Sequence, residues 1–171
     1  LSGAIVSDKI CALIQERSVE IGAMGHGYTY SGHPCAAAAG LANLDILEKE
    51  DMVGNAKRVG AYFLEQLHKT FGGHPLVGEV RGVGLLAGIE FVADRKKKQR
   101  FDPKHKIGIR VSQACLAEGL IARAMPNADL LAFSPPLCVT KAEIDDIIAR
   151  TKRGLDKLTD EITREGLWKA A

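Results

Sequence analysis

Gly25-His26-Gly27-Tyr28-Thr29-Tyr30-Ser31-Gly32-His33-Pro34-Cys35 is a glycine-punctuated loop that runs into a proline and then an alanine-rich stretch, 36–48. Proline suits the first turn of a helix, where its missing N–H costs nothing, so the spacing predicts a helix opening at Pro34. Hydroxyls and free backbone N–H groups then gather at a helix N-terminus, where the macrodipole favours an anion such as phosphate. Two readings of Thr29 follow. Its hydroxyl can donate to phosphate oxygens, with Gly27 and Gly32 letting the backbone come close. Alternatively, Thr29 and Ser31 satisfy ordinary turn and cap hydrogen bonds. His33 is read as the cap of the helix rather than a metal ligand, because His26, His33, His68, His74 and His105 share no metal spacing.

Outward from the loop, Leu1-Ser2-Gly3-Ala4-Ile5-Val6 reads as a short buried strand centred on 4–6. Ser7 then caps a helix with the face Ile10, Leu13, Ile14. On the other side, 55–70 is a helix with Ala56, Val59, Phe63 and Leu67 on one face, ended by Gly72-Gly73-His74-Pro75. Residues 80–92 read as a glycine-rich turn entering one strand, and 94–100 as a charged loop. A helix follows on Ile107, Val111, Ala114 and Cys115, stopped by Gly119. Strands are expected at 120–124 and 130–133, the second ended by Pro135-Pro136. Thr140 with Glu143 forms a capping box for a last helix carrying Ile144, Ile147, Ile148, Thr151, Leu155, Leu158 and Ile162. From about residue 50 this is a small α+β domain with a largely antiparallel sheet; residues 1–49 read as the end of a separate α/β domain.

At 171 residues the chain can hold one ordinary domain, or a small one plus part of another. Net charge of +2 gives no bulk attraction to nucleic acid or membrane. No run approaches the roughly 18 apolar residues of a membrane span, so the chain is expected to be cytoplasmic. Cys11, Cys35, Cys115 and Cys138 lack CxxC spacing and are expected as buried free thiols.

Arg123 lies in the apolar run Leu120-Ile121-Ala122-Arg123-Ala124-Met125, where a guanidinium is costly unless paired. A substrate carboxylate would pair it bidentately; so would an ordinary Asp or Glu. Gly82, Gly84 and Gly88 lack the GxGxxG spacing of a nucleotide loop and are read as shaping a turn and strand. The cations of 95–100 have no interleaved aromatics and are read as a solvated loop. The tail around Trp168 either docks its indole or frays.

The run Tyr28-Thr29-Tyr30-Ser31-Gly32-His33-Pro34 resembles the cofactor-phosphate loop of class III aminotransferases, the pyridoxal-phosphate (PLP) enzymes that include amine:pyruvate transaminases. The likeness extends from Leu1 to about Ile162. It takes in the Val-Arg-Gly-x-Gly-Leu run at 80–85, where it implies an ion-pair role for Arg81, and the segment from Arg123 to Ser134-Pro135-Pro136-Leu137. It implies part of a fold-type I transferase: residues 1–49 as the C-terminal piece of the large PLP-binding domain, and 50–171 as the small domain. It implies that Thr29 contacts the cofactor phosphate in the other subunit's active site of a homodimer, with Tyr28 beside that phosphate, and that Arg123 binds the carboxylate of an amino or keto acid. The family commonly has a glycine-aspartate turn where this chain has Pro126-Asn127-Ala128-Asp129, a change expected to bear on the arginine's placement. The lysine that forms the resting Schiff base, and the aspartate facing the pyridine nitrogen, are expected upstream of Leu1. The chain is thus expected to be an inactive fragment of an enzyme that exchanges an amino group between an amine or ω-amino acid and a keto acid such as pyruvate. Alternatives are an aminomutase or decarboxylase of the same fold, a non-catalytic dimerisation module, and an unrelated α+β binding domain.

Overall fold

Alanine-rich and amphipathic runs dominate the first fifty positions. In the computed structural model they form two helices, α1 (Asp8–Ile21) and α2 (Pro34–Lys49). The structure describes residues 2–25, 27–126 and 129–169, and the chain divides into two units, Leu1–Glu50 and Asp51–Ala171. In the first unit neither helix buries a residue. The strand expected at 4–6 is absent: residues 2–7 carry no regular structure and are exposed. A strand needs a partner edge to satisfy its backbone groups, and among the described residues this unit offers none. Ser7 stands at the N-cap of α1 without making a side-chain cap bond. Leu1 and His26 lie outside the described residues.

The second unit is built on the helix α3 (Met52–Phe71), which buries Val59, Phe63, Leu67 and Phe71, spaced four residues apart on one face. It begins three residues earlier than the sequence reading. The chain then forms β1 (Val77–Val83) and β2 (Leu86–Phe91), an antiparallel hairpin in place of the expected single strand. Its two-residue loop is Gly84-Leu85, with Gly84 at φ +56, a left-handed conformation that glycine adopts freely. Helix α4 (Ile107–Ala117) leads to the short β3 (Arg123–Ala124) and β4 (Leu130–Phe133). The strands order β1-β2-β4-β3, with antiparallel pairing throughout. Helix α5 (Lys141–Arg164) closes the unit, opened by the expected Thr140–Glu143 capping box.

Helices α3 and α5 cross-link through Tyr62 and Asp145, whose oxygens are 2.6 Å apart. The apolar faces of the helices and one sheet face share a single core, in which Phe63 meets Phe133 edge-on at 5.8 Å between ring centroids. Helix α5 packs closely on α4 at Gly154, where a Cβ would stand 2.9 Å from the Cys115 nitrogen. Trp168 docks rather than frays: it is buried, and its indole N–H donates to the Ala93 carbonyl at 3.1 Å.

Candidate functional site

Among the described residues, the loop ahead of α2 is closed by hydrogen bonds that do not use Thr29. The Tyr28 N–H donates to Ser31 Oγ at 2.9 Å, and the Ser31 N–H donates to the Tyr28 carbonyl at 2.9 Å. His33 caps α2, as its position suggested: its Nδ1 accepts from the Ala36 N–H at 3.3 Å, and the Tyr30 ring stands 5.5 Å from its imidazole. Gly32 makes the turn at φ +71. Ser31 and His33 therefore do the turn and cap work. The exposed Thr29 hydroxyl takes no partner among the described residues. Tyr28 and Tyr30 are also exposed.

Arg123 is exposed, not buried in an apolar strand, because β3 is only two residues long and lies at the sheet edge. The desolvation cost that called for a partner does not arise. Among the described residues no carboxylate pairs with it. Its backbone, by contrast, is held firmly. Arg123 pairs with Ala132 and Ala124 with Leu131. Ser112 Oγ of α4 donates to the Ala122 carbonyl at 2.6 Å, and the Met125 N–H donates to the Leu130 carbonyl at 3.0 Å. Asp129 fastens the far side of the turn: its carboxylate accepts from the Gly108 N–H at 3.0 Å, and its carbonyl accepts from the Phe91 N–H at 2.7 Å. A carboxylate on the first turn of α4 is also favoured by the helix dipole. The unusual turn thus carries an anchor in Asp129; Asn127 and Ala128 lie outside the described residues.

Sequence reasoning missed Ser112, Asp129 and Asn55. The Asn55 side-chain amide donates to the carbonyls of Leu137 and Val139 at 2.7 and 3.0 Å, fixing the segment after β4. Ser, Asp and Asn near helix starts and turns ordinarily serve local caps, so nothing local marked these distant bonds.

Other expectations resolve as follows. Arg81 is an ion-pair residue, 2.5 Å from Glu79 and 2.7 Å from Glu90. The 95–100 segment is a solvated turn closed by an Asp94–Gln99 bridge. All four cysteines are free thiols, but only Cys115 is buried; Cys11 is half-buried, and Cys35 and Cys138 are exposed. Burial pushes the Cys115 thiol up to about 11. Among the described residues no helix is long and apolar enough to cross a membrane.

The aminotransferase class-III family model matches residues 1–155. The chain belongs to the class III aminotransferase family. It is 50% identical, over 100% of its length, to 36% of the diaminobutyrate–2-oxoglutarate transaminase of Halomonas elongata. It is 37% identical, over 92% of its length, to 33% of the putrescine–pyruvate aminotransferase of Pseudomonas aeruginosa. A solved transaminase from directed evolution by ancestral reconstruction matches with a TM-score of 0.85 and 56% identity, over 91% of this chain and 34% of that one. The chain spans about a third of the length of the curated relatives it matches. Its helices and small antiparallel sheet are those of part of a fold-type I transferase.

Class III aminotransferases depend on PLP. A hydroxyl and a helix N-terminus are groups of the kind a phosphate accepts from, and Thr29, without a partner among the described residues, precedes the left-handed Gly32 by three residues and the first residue of α2 by five.

Proposed function

We propose that the full-length protein to which this chain corresponds is a PLP-dependent aminotransferase that exchanges an amino group between an amine or ω-amino acid and a keto acid such as pyruvate. In this reading residues 1–49 end the large cofactor domain and 50–171 form the small domain. The protein is a cytoplasmic homodimer in which Thr29 and Tyr28 serve the other subunit's cofactor. Bound PLP supplies the electron sink for the amino-group exchange. Thr29 would donate its hydroxyl to a phosphate oxygen of the bound cofactor, and Tyr28 would lie beside that phosphate. Arg123 takes the substrate carboxylate in a bidentate pair. Its side chain has no internal carboxylate to displace among the described residues, while its backbone is pinned by Ser112, Asp129 and the β3–β4 pairing.

No lysine of this chain is assigned the proton-transfer role. Lys9, Lys49 and Lys57 lie exposed on helices. We infer that the 171 residues alone catalyse no transamination.

The observation that carries the reading is the Thr29 hydroxyl, which has no partner among the described residues in a loop where Ser31 and His33 make the turn and cap bonds. Replacing Thr29 with Ala in the full-length enzyme removes one charge-assisted hydrogen bond, about 1.5–3 kcal/mol. Equilibrium dialysis should show PLP held roughly ten- to a hundredfold less tightly, with Thr29→Ser restoring most of the loss. Unchanged retention in Thr29→Ala would overturn the assignment.

A further inference from the structure

The register of the sheet places Arg81, Gly88, Ala132 and Arg123 in one row across all four strands, through the pairs Arg81–Gly88, Gly88–Ala132 and Ala132–Arg123. Directly paired residues project to the same face. Three strand spacings separate the two arginines, roughly 14 Å. This is the face turned away from the helical core, since the alternate residues Ala87, Ile89, Leu131 and Phe133 are buried in it. Between the arginines the row has almost no side chain. It forms the floor of an open depression of about 830 Å³, bordered by Leu86, Leu130 and Met125, a volume within the range of small-molecule sites.

The two arginines differ in charge commitment. Arg81 is engaged by both Glu79 and Glu90. Arg123 is the row's cation without a carboxylate among the described residues. A negatively charged group entering this depression is therefore drawn to the Arg123 end.

Gly88 needs an explanation that folding does not provide. It lies inside β2, paired on both sides, where glycine weakens a strand and leaves nothing to pack. Its φ is not positive. Gly88 is itself buried, and the atoms nearest to a Cβ there would be those of the Leu130 side chain, at 3.4–3.7 Å, an ordinary contact. Gly82 on β1 is different: a Cβ there would collide with the Leu86 carbonyl oxygen and lie 2.7 Å from Leu64 Cδ2. Packing demands Gly82 and does not demand Gly88. A strand glycine often marks a bulge, a tight bend, or a place where a ligand or another backbone comes close; here the depression and the Arg123 guanidinium at its end point to a ligand.

We propose that Gly88, with Ala132, sets the length of keto acid the enzyme accepts: it keeps the trough beside Arg123 open for the carbon chain of an acid whose carboxylate Arg123 holds. This rests on the reading of Arg123 given above. Side chains introduced at 88 fill the trough from its floor. They should obstruct long carbon skeletons and spare short ones, without unsettling the sheet.

The test uses the full-length enzyme with one amine donor and two acceptors, pyruvate and the longest unbranched 2-oxoacid it accepts. Gly88→Val should lower kcat/KM for the long acid at least tenfold more than for pyruvate. Gly88→Ala should shift the same ratio about threefold while its Tm is unchanged or higher. Should Gly88→Val not fold, Gly88→Ala decides alone. An unchanged ratio, an equal loss for both acids, or a lowered Tm in Gly88→Ala overturns the proposal. Arg123→Ala, run in parallel, separates the two layers. If it leaves KM for both acids unchanged, the carboxylate reading itself fails. If it raises both KM values while the Gly88 variants do not discriminate, only the role of Gly88 fails.

Discussion

Asp129 shows how a single side chain fixes a functional group it does not touch. Its carboxylate holds the first turn of α4 and its carbonyl holds the end of β2, so the start of β4, the strand that pairs with Arg123, is tied to both. Removing the carboxylate leaves the Gly108 N–H without its partner and takes a favourable charge from the helix start. Asp129→Ala should therefore cost about 1–2 kcal/mol. Urea unfolding of the full-length enzyme would measure it, and Asp129→Asn should recover part of the loss by keeping an acceptor. At this scale the sequence was partly legible. His33 as cap follows from type and position, and the ion-pair role of Arg81 from the family resemblance of its run. Asp129, Ser112 and Asn55 do not, because their partners lie 21, 10 and 82 residues away. The burial expected of Arg123 was wrong for a related reason. Apolar neighbours in sequence said nothing about β3 being an edge two residues long.

Among the elements, the long helices were readable because their apolar residues repeat at helical spacing over many turns, as in α3 and α5. The β1–β2 hairpin was read as one strand because Gly78, Gly82 and Gly84 interrupt the alternation that marks β1. The strand expected at 4–6 failed because apolar residues alone do not supply a pairing edge. Helices α4 and α5 are joined at both ends by charge. Arg110 forks onto Glu165 at 2.9 and 2.8 Å and reaches Glu161 at 2.6 Å. At the other end Arg153 and Lys157 hold Glu118, and Arg150 donates to the Glu118 carbonyl at 2.7 Å. The side-chain hydrogen bonds from Lys157 and Arg153 lower the Glu118 pKa, and those from Arg110 lower that of Glu165. A carboxylate with a depressed folded pKa contributes stability that is present above its unfolded value, near 4.3, and lost as pH falls through the folded one. Thermal melts of the wild type should therefore fall off below about pH 4.3. Glu118→Gln should melt lower at pH 7 and show a shallower acid decline. An acid decline as steep as the wild type's would mean the Glu118 clamp contributes nothing.

For the molecule as a whole, the family was legible in seven consecutive residues and the α+β character of the second unit in its periodicities. What a single sequence could not supply was the difference between a hydroxyl spent on its own turn and one left over. Thr29 and Ser31 are equivalent on paper, and only the folded loop shows which is committed. The reading as a whole is that residues in both units serve amino-group transfer by a longer enzyme. Incubating the full-length protein with PLP, a primary amine donor and pyruvate, and following alanine, tests this most directly. The account predicts stoichiometric alanine from the full-length enzyme and none from residues 1–171 alone. Carbon dioxide released without alanine, or alanine formed by the 171 residues unaided, would contradict it.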